Sequence, residues 1–216
     1  MAVTHDITKE QYIDNPCGTC STAFWKNSYF EKPSGVQIVH ESKLESVGQN
    51  EFDITKYFRL SHDLLEIELP NLCDDYYFQT VDIETQKEAI SAFINCCYED
   101  MYITPEQVNE WVKYKVFDND LWVFIFERKS ILPIALGIAD FDADIKEGSF
   151  EWIQVLPQKR GQALGKAVVN ELLFRLKSKA KFVTVSGQTD NETNPEALYR
   201  KCGFDGGDIW CVVSPK

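Results

Sequence analysis

The chain has 216 residues, 44% apolar and 26% charged, enough for one large domain, or for one of about 150 residues with an extension, and unlike a disordered chain. Its net charge of −12 argues against a nucleic-acid partner, whose phosphates need clustered Lys and Arg, and suits a cationic ligand. No run approaches the roughly 18 apolar residues of a membrane span, and the opening MAVTHDITKEQYID lacks the basic-then-apolar pattern of a secretory leader, so a cytoplasmic protein without membrane association is expected.

Residues 1 to 62 show no long periodicity. Aromatic residues (Tyr12, Phe24, Trp25, Tyr29, Phe30) lie among turn signals such as Asn15-Pro16 and Pro33-Ser34-Gly35, with one strand-like stretch, VQIVH at 36–40. Such a density of aromatics predicts an ordered extension rather than a tail. Cys17-Gly18-Thr19-Cys20 is a CxxC, half of a zinc site or a redox pair. No second CxxC follows, and His5, His40 and His62 have no ligand spacing to it. The seven cysteines (Cys17, Cys20, Cys73, Cys96, Cys97, Cys202, Cys211) are odd in number and scattered, which predicts free, structural thiols in a reducing compartment and no metal.

From Tyr76 the pattern becomes regular. YYFQTV is a strand candidate, and Thr85 to Glu99 places Ile90, Phe93, Ile94 and Cys97 on one helical face. Thr104-Pro105-Glu106-Gln107 reads as a capping box opening a helix to about Lys115, with Val108, Trp111 and Val112 inward. LWVFIFE (121–127), a polar turn at Arg128-Lys129-Ser130 and ILPIALGIADFD (131–142) predict an antiparallel hairpin. Gly148 is expected to break the chain before a third strand, FEWIQVL, in which Glu151 shares a face with Ile153 and Val155 by alternation.

That strand runs into Gln158-Lys159-Arg160-Gly161-Gln162-Ala163-Leu164-Gly165, and Leu164, Val168, Leu172 and Leu176 then recur every four residues as a helix stripe. Gly161 and Gly165 allow positive φ or close approach of a ligand, and the first amides of a helix have no acceptors within it, so the turn suits a diphosphate. Between Pro157 and Lys181 seven basic residues face one acid, Glu171, a net +6 that leaves −18 on the rest of the chain. Arg175 to Lys181 suit a helix C-terminus, whereas Lys159, Arg160 and Lys166 oppose the dipole at its start, a conflict that a bound anion would remove. FVTVS (182–186) reads as a buried strand, PEALYRKCG as a short helix stopped by Gly203, and IWCVV (209–213) as the last strand.

The order of elements, with two motifs, resembles the GNAT superfamily of acyl-CoA-dependent N-acetyltransferases over about residues 76 to 213. The family's pyrophosphate motif is Gln or Arg, two residues, Gly, one residue, then Gly or Ala, and Gln158-Lys159-Arg160-Gly161-Gln162-Ala163 fills it. A second family motif, Leu-Tyr followed by Gly-Phe, is met by Leu198-Tyr199-Arg200-Lys201-Cys202-Gly203-Phe204. The resemblance implies an α/β GNAT fold, a mixed sheet flanked by helices, with an N-terminal extension (1–62) packed on an acetyltransferase domain (63–216). It implies acetyl-CoA as acyl donor, bound by Gln154, Val155, Lys159, Arg160, Gly161, Gln162, Ala163, Leu164, Gly165 and Lys166. Many relatives hold the pantetheine with an asparagine seven residues before the tyrosine. That position is Glu192 here, so Asn191 or Asn194 takes the role.

Acetyl transfer needs an uncharged nitrogen, and an alkyl amine with a pKa of about 10.4 costs roughly 4 to 5 kcal/mol to deprotonate at pH 7. A carboxylate is the natural base. Glu151 is the first candidate, with Asp140, Asp142 and Asp144 as rivals. Tyr199 would stabilise developing charge on the leaving sulfur, because full proton donation from a phenol near 10 to a thiol near 8.5 is uphill by about 2 kcal/mol. Cys202 has no histidine nearby to activate it, so no acyl-cysteine is expected. The acceptor is expected to be a small-molecule or protein amine, cationic before reaction, and a homodimer is left open. Two other readings stand beside this one: an acyl-CoA-binding module without turnover, and a redox or zinc protein built on Cys17 and Cys20.

Overall fold

The computed structural model describes residues 7–30, 33–46, 52–98 and 101–216; His5 and the expected helix end at Glu99 lie outside them. Fourteen regular elements follow the order α1 (Lys9–Asp14), α2 (Pro16–Thr19), β1 (Gln37–His40), β2 (Phe52–His62), β3 (Tyr76–Thr80), α3 (Lys87–Asn95), α4 (Pro105–Trp111), β4 (Trp122–Glu127), β5 (Pro133–Asp142), β6 (Glu147–Val155), α5 (Leu164–Leu176), β7 (Phe182–Gln188), α6 (Pro195–Lys201) and β8 (Asp205–Pro215). The eight strands form a mixed α/β sheet flanked by helices. From β3 onward the order is the one the sequence predicts. No helix among the described residues is long and apolar enough to cross a membrane.

The chain divides into two compact units. The first comprises Met1–His62, Thr184–Arg200 and Phe204–Lys216. Its centre is β8, which pairs antiparallel with β1 on one side and β2 on the other. The sequence reading misses β2: FDITKYFRLSH alternates Phe52, Ile54, Phe58 and Leu60 with polar positions, but Lys56 interrupts the apolar series and Arg59 reads as solvent-facing. Arg59 is nevertheless only 2% exposed. Its guanidinium donates to Tyr12 Oη at 2.8 Å and Ser186 Oγ at 3.1 Å, and Trp210 Nε1 donates to the Cys17 carbonyl at 2.8 Å. A buried cation and an indole N–H thus fasten the two N-terminal helices onto β2, β7 and β8. Burial of such groups is tolerated because they are hydrogen-bonded. Neither helix is expected from periodicity, although Thr8 and Gln11 form a capping box on α1 and Asn15 caps α2.

The second unit comprises Asp63–Val183 and Lys201–Gly203. Strands β3, β4, β5 and β6 form an antiparallel meander. One face receives α5, whose Val168, Leu172 and Leu176 are fully buried, each contributing on the order of 1.5 to 3 kcal/mol by leaving water. Two strand glycines make that approach possible. A Cβ on Gly137 would stand 2.4 Å from Val168 Cγ1, and one on Gly148 would stand 2.7 Å from Leu176 Cδ1. Gly148 therefore lies inside β6 and does not break the chain before it; the reversal falls at Lys146, whose φ is +60°. The opposite face is covered by α3 and α4, through Ile90, Phe93, Ile94 and Val108, with the Phe93 and Phe124 rings 5.9 Å apart. The Thr104 capping box is present, but α4 stops at Trp111 and α3 at Asn95, both shorter than their periodicities suggest.

Candidate functional site

Strand β6 changes character along its length: Glu147 to Phe150 are buried, whereas Glu151 to Val155 are all half-buried. The chain then makes one 3-10 turn (Pro157–Lys159), and Arg160 is extended. Gly161 has φ +81°, and a Cβ there would meet nothing within 4 Å, so backbone conformation alone asks for glycine. The second left-handed residue is Ala163 (φ 59°, ψ 10°), the N-cap of α5, while Gly165 is helical. Of the two glycines expected to offer positive φ, Gly161 takes it and Gly165 does not; Ala163 is left-handed instead. No side chain caps α5, and its ladder begins with Ala167 N–H donating to the Ala163 carbonyl. The amides of Leu164, Gly165 and Lys166 precede that ladder, at the positive end of a 13-residue helix dipole.

The cations of the turn have carboxylate partners within the protein. Lys159 Nζ lies 2.9 Å from Glu127 Oε2 and Lys166 Nζ 2.7 Å from Glu68 Oε2. Hydrogen bonding to those carboxylates holds both ammonium groups above their ordinary pKa. The conflict between lysines and dipole is thus relieved by Glu127 and Glu68, not by an anion alone. Arg160 Nε donates to the Val155 carbonyl at 3.3 Å, and Gln162 accepts from Tyr76 Oη at 2.6 Å.

Glu151 occupies a β-bulge. Phe150 pairs with Ala139 and Trp152 with Ile138, leaving Glu151 as the extra residue. Ala139 and Ile138 point to opposite faces, so alternation breaks between Phe150 and Trp152. Ser149 Oγ donates to Glu151 Oε1 at 3.2 Å, which places Glu151 on the face of Ser149, Asp140, Trp152 and Gln154. The expectation that it shares a face with Ile153 and Val155 fails for this reason, Ile153 being paired with Gly137 on the α5 side. Of the rival carboxylates, Asp144 bridges Lys115 at 3.2 Å, Asp142 accepts the Asp144 amide at 3.0 Å, and Asp140 is buried.

On that face Gln154 Nε2 donates to Tyr98 Oη at 2.7 Å. Trp152 stacks on Trp111 (centroids 5.6 Å, 24°) and meets Tyr98 edge-on at 6.0 Å. Nothing in the sequence marks Trp111 and Tyr98 as neighbours of Trp152, since an inward Trp on an amphipathic helix reads as core.

In the first unit, Tyr199 is 7% exposed, its ring between Phe58 (6.1 Å) and Phe204 (5.6 Å). The Phe204 amide donates to the Tyr199 carbonyl at 3.1 Å and Gly203 has φ +91°, the geometry of a Schellman ending with its apolar contact. Leu-Tyr and Gly-Phe at this spacing are therefore what one helix needs to stop. Asn191 Oδ1 accepts from the Thr193 amide at 2.9 Å, and Asn194 Oδ1 from the Ala197 amide at 3.2 Å; both oxygens shape the loop into α6. Burial pushes the Cys202 thiol up to about 11, in keeping with an unreactive cysteine.

No family model matches the chain, and no curated protein does. Solved structures do. A GCN5-related N-acetyltransferase from Sphaerobacter thermophilus superposes with a TM-score of 0.71 at 16% identity, over 82% of this chain and 58% of that one. A GNAT-family acetyltransferase from Colwellia psychrerythraea gives 0.61 at 14%, over 88% and 68%. A tandem GNAT protein from the clavulanic acid biosynthesis pathway gives 0.60 at 13%, over 83% and 63%. The chain has the GNAT fold. It spans little more than half the length of the Sphaerobacter protein.

Within the GNAT fold, β6 and the turn into α5 are continuous in one unit, so Glu151, Gln154, Val155 and residues 159 to 166 share a scaffold. Tyr199, Asn191 and Asn194 belong to the other unit. The CxxC lies apart from the GNAT motifs in sequence: Cys17 and Cys20 are buried, and Cys20 Sγ accepts from Asn27 Nδ2 at 3.2 Å. Among the described residues no three His, Cys, Asp or Glu side chains gather as metal ligands.

Proposed function

We propose that this protein is an N-acyltransferase that moves an acetyl group from acetyl-CoA to a primary amine. The observation that carries the proposal is the uncapped start of α5, reached through two left-handed residues from the half-exposed end of β6, in a chain with the GNAT fold. The residues present fit a diphosphate. The amides at Gly161 to Lys166 offer donors, Arg160 adds a cation, and Lys159 and Lys166 would exchange a carboxylate partner for a phosphate.

Bound acetyl-CoA supplies a thioester carbonyl open to attack by nitrogen. Backbone groups of Gln154 and Val155 hold and polarise that region of the donor. Glu151 would first take one proton from the ammonium, directly or through water, which frees the lone pair that bonds to the acyl carbon; as the carbon–sulfur bond breaks, the nitrogen's second proton passes through solvent to the leaving thiolate. The Tyr199 hydroxyl donates a hydrogen bond toward the departing sulfur, and Asn191 or Asn194 steadies the pantetheine arm. The acceptor is a cationic small-molecule or protein amine.

A second reading, an acyl-CoA-binding module without turnover, is favoured by one observation: the Schellman ending accounts for Tyr199 without chemistry. One experiment separates them. Acetyl-CoA raises Tm under either reading, but only the enzyme releases thiol with a member of an amine panel. Arg160→Glu weakens the shift, and Tyr199→Phe lowers turnover more than binding. Absence of any thermal shift sinks both readings.

A further inference from the structure

The face of β6 that carries Glu151 also carries a group of aromatic rings. Trp122 is 1% exposed and packs edge-on against Phe117 at 5.3 Å and Trp111 at 6.4 Å, which is ordinary core. Trp111, Trp152 and Tyr98 are different. They form a continuous series of ring contacts, yet all three stay half-buried. Each stops short of the burial that Trp122 reaches. Their orientation is fixed, because Gln154 Nε2 holds Tyr98 Oη at 2.7 Å and Trp152 lies almost parallel to Trp111. The bulge then adds a carboxylate, putting Glu151 next to Trp152 on the same face.

Rigid aromatic faces beside a carboxylate are the elements that recognise an organic ammonium: the ring quadrupole attracts the charge, the ring surface covers the attached methylenes, and the acid supplies the counter-charge. We infer that Trp111, Trp152 and Tyr98 are the acceptor-selecting residues, and that the acceptor is an ammonium carried on an aliphatic chain, bound by these rings beside Glu151. The inference rests on the acyltransferase reading for the word acceptor, but not for the binding of the cation. An arylamine, which is neutral at pH 7 and would stack without needing charge, is the competing class.

Intrinsic tryptophan fluorescence of the full chain is titrated at pH 7 with n-butylamine, which is then an ammonium, with 1-pentanol, a neutral alcohol one methylene longer, and with aniline. Butylammonium is expected to change the emission and to bind about tenfold more tightly than 1-pentanol. Trp152→Leu removes this preference and Trp152→Phe, which keeps a ring face, retains part of it. Trp111→Leu serves as a second variant should Trp152→Leu fold poorly, as judged by circular dichroism. In turnover assays with acetyl-CoA, Trp152→Leu raises KM for the alkylamine about tenfold and leaves KM for acetyl-CoA unchanged. Equal binding of pentanol or tighter binding of aniline overturns the inference, as does an unaltered alkylamine KM in Trp152→Leu. Absence of thiol release with every amine counts against the acyltransferase reading alone, because the fluorescence titration judges the ammonium site by itself.

Discussion

Glu68 Oε2 stands 2.7 Å from Lys166 Nζ, so a carboxylate occupies a lysine at the start of α5. With side chains 37% and 60% exposed, the pair adds little to stability, because solvent screens it. Its effect is on the anion site. Glu68→Gln is expected to tighten acetyl-CoA binding by about twofold to fivefold at low salt, an advantage that fades as ionic strength rises. Calorimetric titration at two salt concentrations measures this, and unchanged affinity at low salt counts against competition for Lys166.

The Schellman ending of α6 separates structure from chemistry at Tyr199. Gly203→Ala places a Cβ at φ +91° and should cost about 1 to 2 kcal/mol in denaturant unfolding. Tyr199→Phe keeps the ring against Phe204 and should leave stability within about 0.5 kcal/mol. Lower kcat with unchanged stability then reports on the hydroxyl.

Close packing under α5 ranks two glycines. At Gly137 the obstructing atom is Cγ1 of Val168, a β-branched side chain with little freedom on a helix, whereas at Gly148 it is the end of Leu176. Gly137→Ala should destabilise by about 1 to 3 kcal/mol and Gly148→Ala by less. Urea midpoints that shift without a change in slope would show it; the reverse ranking would mean that Leu176 is the stiffer neighbour.

Two thiols give a pH signature. Burial is the main cause that lifts Cys97 and Cys202 from 9.0 to about 11; Arg160 opposes it at Cys97 and Lys166 at Cys202. A raised folded pKa means that the stabilisation is complete below 9 and is lost as pH rises from 9 through 11. At pH 8 iodoacetamide should modify exposed Cys73 and Cys96 well before Cys97 and Cys202, which burial keeps as thiols. Mass spectrometry of partially alkylated protein reads the order.

What could be read without coordinates was local. Thr104-Pro105-Glu106-Gln107 signals its helix within four residues, and the stripe Leu164, Val168, Leu172, Leu176 signals α5 within 13. What could not be read depends on partners distant in the chain. Strand β2 hides behind Arg59 because Tyr12 and Ser186 satisfy that cation. Glu127 and Glu68 reach the turn from distant positions in the sequence. The glycine and basic residues of the turn suggest an anion site, but alanine at 163 does not by itself signal the left-handed backbone found there.

Because Glu151 is the surplus residue of its strand, no residue of β5 stands opposite it. The backbone pairs on either side, Phe150 with Ala139 and Trp152 with Ile138, form without it. Position 151 is thus a place where the sheet tolerates a change of chemistry, and an acid, an amide or an aromatic could be tried there while the ladder on either side stays in register.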